Sequence, residues 1–524
     1  MKKILGVLLT IVLFLSCCAA SAETITILDQ EVATGLQFPL EEPVTLTIMV
    51  KRDTTDTSDF LNSQPQYKEL EALTNIHIEW ICVPSSGWNE RKNLIFASGD
   101  YPDAMIDEEI TDLDISANAE VLLKINEYLA YMPNMSKAFE SFPELRAITT
   151  SPDGNMYSLG QRRPLVDTPQ MLCINKTWLN ALNLQIPTTL DELYDVLTAF
   201  KNGDPNGNGD PTDEVPLTFT IGGTTTGWAP LFGSFGIIDY SSPKTPMSEH
   251  VNVEDGKAIF VPTDERYIEA IEFFHKLYSE GLIDRDVFTD AQINAKRSNN
   301  QIGMQINWSL EGLDNGNNCE WAIVMPLSNG ETEPIYTKNN AATYRRNMAI
   351  AFKSCEHPEA LMAWLDLFYS EDLGIQSYYG PYGLVLSKNA DGMRTYMDPP
   401  ADSSLDALKW KTSLADNTPT AIYPEWHDTV EANAWLVQKQ ENNAALQAYQ
   451  PEEIYPNVIY TDEQLEKMEV LLTDIDTYVE RMQAQWVVEG GIRDGWNAYL
   501  QQLDRMGLPE LIQIYQDALD TYYQ

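Results

Sequence analysis

The sequence predicts an α/β protein of two lobes with a helical C-terminal part. Three observations lead there. Strand and helix patterns alternate through the first hundred residues. The alternation resumes beyond residue 160. From Thr461 onward the apolar spacing is helical to the end. Strand–helix–strand order marks a parallel α/β layer, and a following run of helices marks a separate packing unit.

Each element has a local cause. "VTLTIMV" (44–50) is β-branched and apolar between Pro43 and Lys51, as a buried strand requires. Gln64 to Leu73 has helical spacing, and "IHIEWICV" (76–83) alternates like a second strand. "WNERKNLIFASGD" reads as a helix stopping near Gly99, and "DAMI" as a short third strand. Further on, "TLDELYDVLTAF" (189–200) offers Thr188 or Thr189 as a cap before an apolar i, i+3/i+4 face. "DERYIEAIEFFHKLYSEGL" (264–282) and "HPEALMAWLDLFYSED" (357–372) are amphipathic helices. Gly490-Gly491 and Gly507-Leu508-Pro509 break the helical tail. Trp88, Trp364 and Trp496 read as core.

Composition narrows the class. The chain has 524 residues, enough for more than one domain, and 44% are hydrophobic, which rules out wholesale disorder. A formal charge of −44 argues against nucleic acid or an anionic membrane as partner, since both need a basic footprint. Residues 1–22 have the layout of a signal peptide: Lys2 and Lys3, an apolar run from Ile4 to Leu15, and Ala20-Ser21-Ala22 as a cleavage site. A second reading places a lipid on Cys17 or Cys18, although Phe14 stands where a lipoprotein box has leucine. Either way the mature protein is expected outside the cell, secreted or surface-anchored. Cys82, Cys173, Cys319 and Cys355 show no CxxC or metal spacing, and both free thiols and disulfides remain open.

The segment "DPNGNGDPTDE" (204–214) has the pattern of a calcium loop. A chain curling around the ion presents alternate side chains inward and needs glycine at the tightest turn. Asp204, Asn206 and Asn208 take the first, third and fifth places, and Gly209 the sixth. Asp210 would offer its backbone carbonyl, while Asp213 and Glu214 close the shell. The twelfth place, where an EF-hand carries glutamate, is Val215. A solvated turn has similar composition. The expected role of calcium is structural.

Together these segments resemble a known family, the extracellular solute-binding proteins of ABC importers. The similarity is to the large, lipoprotein-like, calcium-bearing branch that includes alginate-oligosaccharide binders. It is carried by "VPSSGWNERKNLIFASGDYPDAM" (83–105), by residues 174–219 with the calcium loop, by "EHPEALMAWLDLFYSEDLG" (356–374) and by residues 478–522. The loop departs from the family pattern by one extra residue and by Asp210 in place of a lysine, which leaves open whether Asp213 or Glu214 binds. The resemblance implies a two-lobed, hinge-closing fold of the periplasmic-binding-protein type. Residues 23–160 and 326–375 would form one lobe, and 161–325 with 376–524 the other. The chain would cross near Tyr157 to Gln170, return near Met325 to Tyr336, and cross again after Leu373. It implies a monomeric receptor that docks on a membrane permease.

Ligand residues are expected in the cleft, where aromatic faces and polar groups meet sugar rings. Trp308 follows an apolar strand at a place where resembling proteins carry a cleft aromatic. Trp228 lies on a glycine-rich loop, and Asp107 and Glu108 follow a strand's C-terminal end. Gln161 and Arg162 sit at the first crossing; Tyr379 and Tyr382 sit in "SYYGPYG" near the last. Arg345-Arg346 reads as a surface ion-pair site rather than a clamp for an acidic sugar. An uncharged oligosaccharide is the expected solute. The alternatives are a secreted carbohydrate-active enzyme and a receptor for peptides or another solute. Against the enzyme, the sequence has no GxSxG or HExxH, and its five histidines lack ligand spacing.

Overall fold

The computed structural model describes residues 23–523 apart from 28–29, 53–54, 165–169, 222–226, 240–249, 290, 315, 339–342 and 401–402. The signal segment, with Cys17 and Cys18, lies outside the described residues.

The first lobe is built on a five-stranded sheet in the order Ile76–Val83, Val44–Lys51, Ala104–Ile106, Tyr344–Ala351, Ser158–Arg162. The first three strands run parallel, and Tyr344–Ala351 is antiparallel to both of its neighbours. Val44–Lys51 is apolar almost throughout because both of its faces are covered. Leu46, Ile48 and Val50 enter one core and Met49 another. The helix Trp88–Ser98 stops at Gly99, whose φ of 77° is left-handed.

The second lobe holds a four-stranded sheet in the order Trp321–Val324, Met171–Asn175, Ile302–Asn307, Val215–Thr218. The helix Leu190–Asn202 starts where the Thr189 hydroxyl accepts from the Glu192 amide at 3.1 Å. It delivers Leu193, Leu197 and Phe200 to the core. The same core takes the helix Glu265–Ser279 and the C-terminal helices Asp462–Glu489, Ile492–Met506 and Leu508–Tyr522. The helical tail is therefore part of the second lobe. No helix among the described residues is long and apolar enough to cross a membrane.

A hydrogen-bonded ribbon lies at the edge of the first lobe, where the chain leaves for the second. The Arg162 amide donates to the Thr420 carbonyl at 2.8 Å, and the Ile422 amide donates to the Arg162 carbonyl at 3.0 Å. On the other side, the Arg163 amide donates to the Thr343 carbonyl at 2.8 Å. Three separate stretches of chain thus lie side by side there, and two of them, at Arg163 and Thr343, border a crossing.

One expectation needs correction. Residues 376–431 do not join the second lobe. Gln66 Nε2 donates to the Thr412 carbonyl at 2.7 Å, Arg52 Nη2 to the Lys411 carbonyl at 2.6 Å, and Thr420 Oγ1 to the Phe368 carbonyl at 2.6 Å. Leu414 and Ala421 extend the first lobe's core. A small sheet of Leu386–Lys388, Arg394–Tyr396 and Val430–Glu431 completes this segment. The chain reaches the second lobe only with the helix Ala434–Gln447, whose Leu446 packs with Met171 and Tyr336.

A candidate binding cleft and an acidic loop

Where the hinge ribbon meets the two sheets, charged groups and aromatic rings converge. Arg345 is buried and donates from Nη1 to Glu108 Oε2 at 2.5 Å. Burial and the neighbouring Arg163 push the Arg345 guanidinium down, while Glu108 and Asp416 pull it back. Arg163 is buried as well. Burial opposes its charge, but Tyr378, Asp416 and Glu108 outweigh that and hold it firmly protonated. Lys409 reaches Asp416 at 3.3 Å and Asp406 at 3.4 Å.

The second lobe supplies the facing groups. Glu311, four residues beyond the strand Ile302–Asn307, lies against the Leu405 amide and the Trp435 indole N–H. That N–H is buried and meets no acceptor at full hydrogen-bond geometry. Burial pushes the Glu311 carboxyl up, with Asp406 adding to the shift. Lys439 stands 5.6 Å from the Trp435 ring, and burial pushes its ammonium down. The two groups on this side are thus both driven toward their neutral forms. The first-lobe cations face carboxylates. Such a surface offers donors, acceptors and an indole without a dominant charge.

The structure brings some of the expected site residues together and disperses others. Glu108 is in the cluster. Asp107 lies beside it, fully buried, bonded to Lys51 at 2.9 Å and to Asn417 Nδ2 at 2.7 Å. Burial raises its carboxyl to about 7 despite Lys51. Gln161 is buried and donates to the carbonyls of Asp416 and Thr418 at 2.9 and 2.7 Å. It positions the segment that carries Asp416. Arg162 donates to the Ile422 carbonyl and stacks over Phe142 at 4.3 Å, so it braces the ribbon. Trp308 is half-buried directly after its strand and three residues before Glu311.

Several placements depart from expectation. Trp228 is 1% exposed, stacked on Phe274 at 5.2 Å and boxed in by Phe219, Phe232 and Phe288. The apolar turn Ala229–Phe232 drags it into the second core. Tyr379 is buried with its hydroxyl at 2.6 Å from His427 Nδ1. Tyr382 donates to Asp372 at 2.7 Å and accepts from Arg394 Nε at 2.8 Å, within a buried knot that includes Lys388. Arg345 and Arg346 pair with Glu108 and Asp112, but both pairs are mostly buried rather than on open surface. Sequence reasoning missed Arg163, Lys409, Asp416, Glu311, Trp435 and Lys439. The only local signal was the indole of "ANAWLVQK" directly after the last crossing.

The acidic loop is wound inward. The Asn208 amide donates to Asn206 Oδ1 at 2.9 Å, the Gly209 amide to Asp204 Oδ2 at 3.0 Å, and the Asp210 amide to Asn208 Oδ1 at 2.7 Å. Gly207 and Gly209 have φ of 72° and 88°, left-handed values that let the chain curl this tightly. Asp213 accepts from Asn206 Nδ2, Asn208 Nδ2 and Gln301 Nε2 at 3.3, 2.9 and 3.1 Å. Asp210 is turned to Thr212. Glu214 differs: both of its carboxylate oxygens are buried without a partner. Burial and the nearby Asp213, Asp204 and Asp210 raise it to about 7. Among the described residues no three carboxylates, imidazoles or thiols converge to hold an ion by themselves, so an ion here needs the Asn206 and Asn208 amide oxygens too. The four cysteines past the signal segment are free thiols.

Comparison with known proteins places this geometry. The family model for bacterial extracellular solute-binding proteins matches residues 59–374, more than half of the chain. The fructooligosaccharide ABC transporter substrate-binding protein FusA of Streptococcus pneumoniae serotype 4 is 29% identical over 99% of this chain and 97% of its own. The solved structure of S. pneumoniae FusA with kestose covers 91% of this chain and 99% of its own, with a TM-score of 0.82 and 28% identity. A second FusA structure, an EF-hand mutant with fructo-nystose, has a TM-score of 0.82 and 27% identity over 91% and 99% of the two chains. Two hinged α/β lobes, a polar cleft between them and a family match that runs through parts of both lobes leave one assignment: the chain belongs to the bacterial extracellular solute-binding proteins, receptors that carry no catalytic function.

Proposed function

We propose that this receptor captures a short, uncharged oligosaccharide between its lobes and presents it to the membrane permease of an ABC importer. The composition of the cleft carries the reading. Arg163, Arg345 and Lys409 are offset by Glu108, Asp406 and Asp416, while Lys439 and Glu311 are both pushed toward neutrality. A uronic acid would need an unopposed cation. A polyol needs donors and acceptors in equal supply and an apolar face to stack on. The Trp435 ring lies 5.6 Å from Lys439 and the Trp410 ring 5.4 Å from Lys409, while Trp308 stands three residues before Glu311. The full-length similarity to FusA supports the same class of solute.

The division of labour follows the ribbon. We assign residues up to 164 and 343–431 to one lobe, and 170–338 with 434–523 to the other. Swinging about the three linking chains would bring Trp435, Lys439 and Glu311 onto a solute resting against Arg345, Arg163 and Asp416. The 204–214 loop would hold calcium through Asp204, Asn206, Asn208, the Asp210 carbonyl, Asp213 and Glu214. The unpartnered Glu214 oxygens favour Glu214 as the residue closing the shell. Bound calcium would neutralise clustered carboxylates and brace the second lobe. Export would leave the receptor at the cell surface as a monomer, lipid-anchored at Cys17 or Cys18 or cleaved after Ala22. Mass spectrometry of the mature N-terminus distinguishes these.

Isothermal titration with kestose, a uronic-acid trimer and a tripeptide tests the solute class. Binding of the neutral sugar alone is the expected result. Binding of the uronate or the peptide without the sugar overturns it. Release of new reducing ends from any bound sugar would restore the enzyme alternative.

A further inference from the structure

The lobes meet a second time, through residues that take no part in the cleft cluster. Arg345 and Arg346 are adjacent but reach different partners. Arg346 grips Asp112 with two bonds, Nε to Oδ1 at 2.9 Å and Nη2 to Oδ2 at 2.5 Å. The same Nη2 donates across the lobes to the Val458 carbonyl at 2.7 Å. Val458 belongs to the second core with Tyr455 and Tyr460. Asn347 Nδ2 donates to Asp112 at 2.7 Å, and Ser158 Oγ in turn donates to Asn347 Oδ1 at 2.9 Å. The first-lobe jaw is therefore pre-set before it touches its partner.

A second tie lies alongside. Ser116 Oγ donates to Asp462 Oδ1 at 2.9 Å. Asp462 opens the long helix Asp462–Glu489, which Thr461 and Gln464 cap reciprocally. Between the two ties lies a pocket lined from both lobes by Asp153, Tyr157, Ile459 and Leu465, among others. Leu113 of the first lobe also packs against the second core, so the seam combines polar ties with a limited apolar contact around an open pocket. In the same conformation Glu311 of the second lobe lies against Leu405 of the first-lobe side, so the two walls of the cleft already meet.

We infer that Arg346, Asp112, Ser116 and Asp462 form an interlobe clasp that favours the closed arrangement and thereby sets solute affinity without touching solute. The apparent affinity of a receptor scales with the fraction of molecules in the binding-competent arrangement. Two hydrogen bonds made only when the lobes are together raise that fraction. Losing the charge-assisted one should lower it by about tenfold. The inference rests on the two-lobed receptor reading and not on which solute is taken.

The test uses small-angle X-ray scattering of the full mature protein without solute. Arg346→Gln should enlarge the radius of gyration relative to wild type. Ser116→Ala, a substitution a helix accepts readily, should shift it in the same direction by less. A role confined to stability would lower the melting temperature and leave the radius unchanged. That outcome, or a more compact variant, overturns the clasp. Kestose titration adds a second readout: about tenfold weaker binding of Arg346→Gln, mainly through faster release. Should wild type ignore kestose, the proposed solute class fails, while the scattering still decides the clasp.

Discussion

The acidic loop and the cleft cluster are both crowded with charge, yet they solve the problem in opposite ways. The loop, residues 204–214, contains no Lys, Arg or His to offset its carboxylates. Its last one, Glu214, is left with two buried, unpartnered oxygens. The cleft sets Arg345 on Glu108 and Lys409 on Asp416 and Asp406, so its charges balance within the protein. An unbalanced cluster calls for an ion from outside, because a buried charge without a partner costs several kcal/mol. A balanced one needs none, and keeps its remaining polar capacity for a neutral guest.

The comparison can be broken at either end. The largest effect should come from splitting a balanced pair. Arg345→Ala takes from the half-buried Glu108 its directly bonded cation, and chemical denaturation should show a loss of about 3–5 kcal/mol. Next comes calcium. Chelation should destabilise the protein by about 3 kcal/mol relative to calcium at a hundredfold over its Kd. Glu214→Gln should remove most of that calcium dependence, as read by thermal melts with and without chelator. An equal melting temperature in both conditions would show that the loop is an ordinary turn. Trp308→Ala should weaken solute binding by about ten- to a hundredfold in a titration, whereas Trp228→Phe should lower stability and leave affinity alone.

The smallest effect is a pH slope. Asp107 has its carboxyl raised from 3.8 to about 7 by burial, so the folded state holds a proton that the unfolded state has lost. Its stabilising contribution is complete below about pH 4 and fades as pH rises toward 7. Asp107→Asn should flatten the fall in stability across that window. An unchanged slope would place the pH dependence in other buried acids, such as Asp366.

How much of this was legible in the sequence depended on distance along the chain. Strands such as Val44–Lys51 and helices such as Leu190–Asn202 were readable because period and caps are local. The tight winding of residues 204–214 was readable for the same reason. The difference between Asp213 and Glu214 was not, since it turns on which carboxylate Asn206, Asn208 and Gln301 occupy. The cleft was the least legible part. It joins Glu108, Arg345 and Asp416, which come from three distant segments, and Asp416 fell in a stretch assigned to the other lobe. Trp228 misled because a glycine-rich loop suggests exposure, while the apolar turn after it decides burial. Arg163 was passed over for its neighbour Arg162, and nothing local tells which of two successive arginines reaches the cluster.

The strap formed by Arg162, Thr343 and Thr420–Ile422 has a mechanical consequence. It fixes side by side, at the first lobe's edge, two of the chains that cross to the second, and pivots anchored side by side resist twist. The receptor should therefore open along one fixed arc, like a book on its spine, and not wobble. A permease that inspects it would meet only two silhouettes, empty and loaded, and could tell them apart by shape alone.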